Sequence, residues 1–399
     1  MLRGLGAAGA VGLAGCGGGG GGREIQMGMV MGVTGQLQEL GPPIRDAANL
    51  VVQQVNDSDS SFSVDTQFED TATSATQGIS GAEAVVNAGY PMICGALGSE
   101  VTIQVATNVA IPNETVLCSP ASTSPDITDL DDNDFVFRTA ATDALQGQVL
   151  ARIAAEEIGA GSASTFYINN AYGSGLSQGF AEAFENNHDG EVTGQVSFSP
   201  GEQSYASRLE TALENDPDTM LIVAYPESGV NILRDFYDNH DPDMPLLVAD
   251  GLQDTDLPGN VGEDMSNVQG TAPIGRGPGL EYFNTEYADA YDADPEGQPF
   301  IRQAYDSAAA LVLANAAAGE NDGPAVRDQM RPVTAGDGEE VTPESLVDGI
   351  EMAANGDAIN YQGVAGPVEF DDNGDLASAN YEHFRFTDDG IEVIGTVSP

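Results

Sequence analysis

Short apolar runs alternate with longer stretches in which apolar residues recur at helical spacing, from residue 25 to residue 250. The run 25–31 predicts a first strand, and a polar segment follows it to Gly41. Over 42–56, Ile44, Ala47, Ala48, Val51, Val52 and Val55 fall on one helical face, and Pro43 suits a first turn. Alternation over 62–70 predicts a second strand, and 75–88 a second helix. The run 90–94 breaks into Gly95-Ala-Leu-Gly-Ser99, helical spacing holds over 101–109, and a further run, 115–118, ends in the polar loop 119–125. With a short strand at 135–139, this is a βα series and predicts a doubly wound parallel sheet.

A second series starts near Thr142. Helix 145–158 leads to strand 164–168 and its loop Asn169-Asn-Ala-Tyr-Gly-Ser-Gly175, then helix 176–186, strand 191–198, helix 205–215 and strand 219–224. The loop 225–229, a helix to His240 and strand 245–250 complete it. Helices 281–292, 299–318 and 343–354 are expected to pack back on the first lobe, and a terminal hairpin, 368–397 around 371–375, to return to the second. Crossings at 138–142, 271–280 and 359–367 would then form a three-stranded hinge. The predicted architecture is α/β, two doubly wound Rossmann-like lobes: lobe 1 is 24–140 plus 275–363, and lobe 2 is 141–274 plus 364–399.

Parallel strands joined by helical crossovers open their loops on one edge of the sheet, where doubly wound folds bind ligands. The hydroxyls of Ser99, Ser119, Ser122, Thr123 and Ser124 are therefore expected to gather. Ser99 also stands at a helix start, where free N–H groups favour an anion such as a ligand carboxylate. An ordinary helix cap and surface turn would carry the same residues.

Charge narrows the setting. The 399 residues hold 63 acidic against 12 basic side chains, a net charge of −51, and every basic residue is an arginine. The acidity is spread along a chain that is 41% hydrophobic, unlike a disordered acidic tail. At molar salt the Debye length is ~3 Å and such self-repulsion is screened, so a halophilic source is expected. Nucleic-acid binding is excluded for want of basic patches. Cys16 closes Leu13-Ala-Gly-Cys16 before six glycines, 17–22, which resembles a lipobox and tether; 1–23 is thus expected to be a signal segment lipidated at Cys16. Cys94 and Cys118 fall at the ends of neighbouring strands, and both a disulfide and two buried thiols fit that placement.

Enzymatic motifs are weak. Gly175-Leu-Ser177-Gln-Gly179 fits G-x-S-x-G, but inside a helical segment and without a paired histidine among His188, His240 and His383. Gly173-x-Gly175 lacks the rest of a dinucleotide fingerprint. Asp371, Asn373, Asp375 and Glu382 match calcium-loop positions, but Leu376 replaces the required glycine and a β-turn accounts for them better. No metal or cofactor is expected.

Taken in order, Gly32-Val-Thr-Gly35 with Gly41, the 95–99 loop, Ser119-Pro-Ala-Ser-Thr-Ser-Pro125, Phe137-Arg-Thr139 with Gln146-Gly147, Ala171-Tyr-Gly-Ser-Gly175 and the segment 366–371 with Gly374 resemble the extracellular substrate-binding proteins of ATP-driven (ABC) importers. The resemblance is to their branched-chain amino-acid and amide group, with the type I periplasmic-binding-protein fold, and runs over nearly the whole chain after residue 23. It implies a non-enzymatic monomer, lipid-anchored outside the cytoplasmic membrane, that binds a small amino acid or amide between its lobes and delivers it to a membrane permease. It further implies that Ser99, Ala121 and Thr123, with Ser122 beside them, hold the ligand from lobe 1. Tyr172 and Tyr225 would close from lobe 2, and Asp250 would meet the ammonium. Leu40 stands where several relatives carry an aromatic, and Asp250 is a methylene shorter than the commoner glutamate; both bear on ligand identity. A ligand-sensing module for a membrane signalling partner is the alternative use of the same fold.

Overall fold

The computed structural model describes residues 22–377, 379–387 and 390–399. Cys16 and the expected signal segment up to residue 21 lie outside the described residues. The first sheet is wholly parallel: β1 (Arg23–Met31), β2 (Phe62–Asp70), β3 (Met92–Gly95), β4 (Val116–Ser119) and β5 (Val136–Arg138) stand in the order β2-β1-β3-β4-β5. Between them run α1 (Gly41–Asn56), α2 (Ala75–Asn87), α3 (Ser99–Val105), which continues through a π turn, and the single turn α4 (Pro125–Thr128).

The second lobe comprises α5 (Asp143–Arg152), β6 (Ser162–Ile168), α6 (Ala171–His188), β7 (Glu191–Phe198), α7 (Ala206–Ala212), β8 (Thr219–Val223), α8 (Pro226–Asn239), β9 (Leu246–Val248), α9 (Leu257–Val261) and β10 (Val268–Pro273). Its strands take the order β7-β6-β8-β9-β10, the counterpart of the first sheet. In each lobe the order reverses beside the first strand, so the loops after β1 and β3 and after β6 and β8 open a crevice there.

The chain then returns to lobe 1 with α10 (Leu280–Tyr291), α11 (Ile301–Ala318), α12 (Gly323–Thr334), β11 (Glu339–Val341), α13 (Leu346–Ala354) and β12 (Ile359–Tyr361). α11 is buried from Ile301 to Asn315 and beyond, packed among α1, α12 and α13 against β1, β3 and β4. An Ala-rich surface lets these elements approach it from several sides. α12 was not expected, because Gly323, Pro324 and Pro332 disguise it; Val326, Met330 and Val333 nevertheless form an apolar stripe toward α11. β11, which was not expected, pairs in parallel with β12 at the start of the segment expected to be a hinge strand.

The terminal hairpin also differs from expectation. Its strands are β13 (Tyr381–Thr387) and β14 (Gly390–Val397), antiparallel to one another, with β13 antiparallel to β10, so the 371–375 turn lies before the hairpin. Segment 359–367 stays on lobe 1 because buried Asp306 of α11 accepts from Tyr361 Oη (2.8 Å), Val364 N (2.7 Å) and Ala365 N (2.8 Å). The third crossing therefore comes between Leu376 and Tyr381. There Ile274 N donates to Asn380 O (3.0 Å) and Tyr381 Oη to Thr142 O (3.3 Å), bringing the three connections side by side.

Candidate ligand cleft between the lobes

Each polar wall of the cleft is a strand end continued into a helix start. At the end of β3, Gly95 adopts φ +141°, and a Cβ there would lie 2.0 Å from Val30 O, so only glycine lets the chain turn against β1. Ser99 then opens α3. Its buried Oγ accepts from Thr123 N (3.1 Å) and Ser124 N (3.2 Å), joining the loops after β3 and β4 and leaving its own O–H to donate. Ser119 donates to Ala96 O (2.7 Å) and accepts from Ser122 N (3.1 Å).

The expected cluster of hydroxyls thus exists, but most of it holds the loops together. Ser122 is the correction among the candidates. Its hydroxyl is turned away from the cleft, bonded to Thr102 Oγ1 (2.6 Å) and Leu97 O (3.0 Å). Ser124 caps α4 through Asp126 N (3.3 Å).

From lobe 2, Tyr172 stands in the first turn of α6 and Tyr225 just before α8. Their rings stack with centroids 5.4 Å apart and planes within 9°. Tyr172 Oη accepts from Gly251 N (3.2 Å) beside Asp250, which follows β9. Ser99, Ala121, Tyr172, Tyr225, Asp250 and Gly251 line a narrow cavity of about 20 Å3 together with Leu37, Leu40, Ile44, Leu97 and Phe300. That is far below the usual range of small-molecule pockets, about 300–1,000 Å3, so the two lobes leave little free space between them here. One end is aliphatic and the other polar.

The polar end is unfinished. Thr123 Oγ1, both carboxylate oxygens of Asp143, Gln146 Oε1 and Asp250 Oδ1 are buried without hydrogen-bond partners. Buried polar atoms are paired in most native structures, so five orphaned oxygens in one region mark a place for donors from outside the chain. Burial raises the Asp250 carboxyl to about 6, and the Gln146 amide and Tyr172 hydroxyl beside it only partly offset the cost. Burial raises Asp143 well above the usual carboxylate range, and the neighbouring Asp250 adds to the rise.

Asp143 escaped the sequence reading. It begins α5, and an acidic residue in a first helical turn needs no function to explain it. Only the fold reveals that Asp143 N donates across the lobes to Thr123 O (2.8 Å). Leu37, Ile44, Leu97 and Phe300 were missed because a single aliphatic or aromatic residue beside a helix start reads as core.

Other motifs resolve as structure. Ser177 of the G-x-S-x-G match lies inside α6, bonded to Thr165 Oγ1 (2.6 Å) and Gln195 Nε2 (2.9 Å). Asp371 accepts from Asn373 N and Asp375 N, which makes 371–375 a turn. Cys94 and Cys118 are free, buried and directly paired across β3 and β4. No group of three or more His, Cys, Asp or Glu residues suited to a metal occurs among the described residues, and no helix among them is long and apolar enough to cross a membrane.

Residues 24–389 match the family model described as "Periplasmic binding protein". The chain belongs to the periplasmic binding protein family. The chemotactic signal transduction system substrate-binding protein BasB of Halobacterium salinarum is 25% identical over 310 residues, covering 75% of this periplasmic binding protein and 70% of BasB. The leucine-, isoleucine-, valine-, threonine- and alanine-binding protein of Pseudomonas aeruginosa is 23% identical over 330 residues, covering 78% and 83% of the two chains. The crystal structure of the leucine-binding protein LivK from Thermotoga maritima superposes with a TM-score of 0.78 at 21% identity, covering 94% of this chain and 99% of that one. The fold is therefore the type I periplasmic-binding-protein fold, and the family is one of solute-binding proteins, not enzymes. Membership implies an extracytoplasmic location.

Proposed function

We propose that this periplasmic binding protein captures an aliphatic L-amino acid between its lobes and hands it to the permease of an ABC importer. The observation that carries the reading is the two-ended cleft: buried, unpartnered carboxylates at one end and an aliphatic wall at the other. The ligand carboxylate is assigned to the Ser99 hydroxyl and the backbone N–H of Ala121, which is held only by a long 3.5 Å contact to Ser119 Oγ. Its ammonium is assigned to Asp250, with Asp143 and Thr123 Oγ1 as neighbouring acceptors. Tyr172 and Tyr225 form the wall that lobe 2 closes over it.

The side chain would lie against Leu37, Leu40, Ile44, Leu97 and Phe300, where full burial of a leucine side chain stabilises by about 1.5–3 kcal/mol. Relatives described as binding leucine, isoleucine and valine support this choice over amides or urea. The reading keeps the expected lipid anchor at Cys16, which would hold a monomer at the outer face of the membrane within reach of a permease.

The relative BasB, described as part of a chemotactic signal transduction system, favours a second reading in which the closed protein reports the same ligand to a membrane signalling partner. Both uses need the same cleft.

The test is thermal unfolding in molar KCl, which screens the acidic surface, against a panel of amino acids, amides and urea. At 100 times its dissociation constant a ligand specific for the folded state adds about 2.7 kcal/mol. Midpoint shifts with leucine, isoleucine or valine are expected. Shifts confined to amides or urea would remove the ammonium assignment.

A further inference from the structure

Asp143 and Asp250 are 0% and 3% exposed, and together they place two carboxylates at the end of the cleft assigned to one ammonium. Neither takes part in a salt bridge within the described residues. The groups facing Asp143 come from every element packed around it: Thr123 from the loop after β4, Arg138 from β5, Tyr172 from α6, Tyr225 ahead of α8, Asp250 after β9 and Tyr381 from β13. The backbone of Gly175 in α6 completes the enclosure.

Arg138 is the one cation in that set, and its donors are spent. Nε and Nη2 bond Asp375 at 2.5 and 2.8 Å, Nη2 also bonds Thr128 Oγ1 (2.6 Å), and Nη1 bonds Ser122 O (3.3 Å) and Ser124 O (2.7 Å). That accounts for all five guanidinium N–H groups. A zwitterion brings one ammonium, so closure with both carboxylates ionised would leave an uncompensated charge in a space from which water is excluded.

Resting on the reading above, we propose that Asp143 takes up one proton from solvent as the lobes close on a zwitterionic ligand. The new O–H bond forms on a carboxylate oxygen and donates to an acceptor that otherwise lacks a partner, Thr123 Oγ1 or Asp250 Oδ1. Asp250 keeps its charge for the ammonium. The division follows from the neighbours: Asp250 has the Gln146 amide and the Tyr172 hydroxyl beside it, whereas Asp143 has only the Thr123 hydroxyl and the field of Arg138, whose charge Asp375 already neutralises. In an open cleft Asp143 is hydrated and ionised at neutral pH. The burial-driven rise in its pKa is consistent with the change on closing.

Binding thus becomes linked to pH: affinity rises as pH falls from 8 toward 6, by up to about tenfold per unit for one proton taken up. The experiment is calorimetric titration of the protein with L-leucine at pH 7 in buffers of different ionisation enthalpy, whose slope counts protons, repeated with Asp143→Asn. Uptake approaching one proton, and none in Asp143→Asn, is the expected result. Leucine binding with no proton exchange in the unmodified protein overturns the proposal, as does uptake that persists in Asp143→Asn. Replacing Na+ with choline at fixed ionic strength separates a metal cation from a proton, and Na+-dependent affinity without proton exchange also overturns it. Failure of every zwitterion to bind removes the amino-acid reading itself, and the proton proposal with it.

Discussion

Four of the buried carboxylates among the described residues fall into two pairs that are provisioned oppositely. Asp306 and Asp375 have their donors. The former receives a tyrosine hydroxyl and two backbone N–H groups, and the latter a two-point bond from Arg138 and the Thr128 hydroxyl. Asp143 and Asp250 carry three buried oxygens that no well-formed hydrogen bond satisfies, with only the Thr123 and Tyr172 hydroxyls and the Gln146 amide beside them. The first pair binds the protein to itself. Asp306 pins segment 361–365 to α11, and Arg138 links the 371–375 turn to the carbonyls of the 122–124 loop. The second pair, one strand end away, is held open for something the chain does not supply. Burial and acidity are common to both pairs, so the completeness of the hydrogen bonding separates bracing from binding.

The sharpest way to break this comparison is to remove one partner from each pair. Asp375→Ala leaves the Arg138 guanidinium buried without its counterion and should cost about 3–5 kcal/mol of stability, read from denaturant unfolding without ligand. Asp250→Ala should change ligand-free stability by far less. Its effect belongs to binding, a loss of about 2–5 kcal/mol in leucine affinity by calorimetry, because a desolvated ammonium loses its counter-charge. If the two substitutions had equal effects on stability, the distinction between the pairs would fail.

At the aliphatic end, Leu40→Ala should weaken leucine binding by about 1–2 kcal/mol while leaving alanine binding nearly unchanged, since only the larger side chain reaches that wall. A competition titration of the two amino acids reads the difference. The smallest effect is expected in the unliganded protein. A raised carboxylate pKa in the closed form means that its contribution to closure is fully present below the ordinary value of about 3.9 and is lost as pH rises through the closed-state value, about 6 for Asp250. Without ligand the lobes should therefore close more at pH 5 than at pH 8, as an interlobe fluorescence distance would report, and Asp250→Asn should flatten the change.

Much of this fold was legible in the sequence, because its strands are short apolar runs and each is followed by a helix-spaced segment. The loops after β3, β4, β6, β8 and β9 were legible for the same reason, and with them the placement of Ser99, Ala121, Tyr172, Tyr225 and Asp250 around one cavity. What stayed hidden depended on tertiary contacts. The third crossing was placed too early because nothing local shows that Asp306, far away in sequence, holds 361–365. Ser122 was included with the cleft hydroxyls because spacing in a loop does not give side-chain direction. Asp143 was passed over because its meaning lies in what faces it from six other elements.

The most direct test of the central claim, that the cleft holds a zwitterion by its ammonium against buried carboxylates, is calorimetric titration with L-leucine and, in parallel, with 4-methylpentanoate. The second compound keeps the carboxylate and the branched chain and lacks only the ammonium. The account predicts tight binding of leucine and at least about 100-fold weaker binding of 4-methylpentanoate, a difference of about 2.7 kcal/mol. Equal affinity for the two would contradict it.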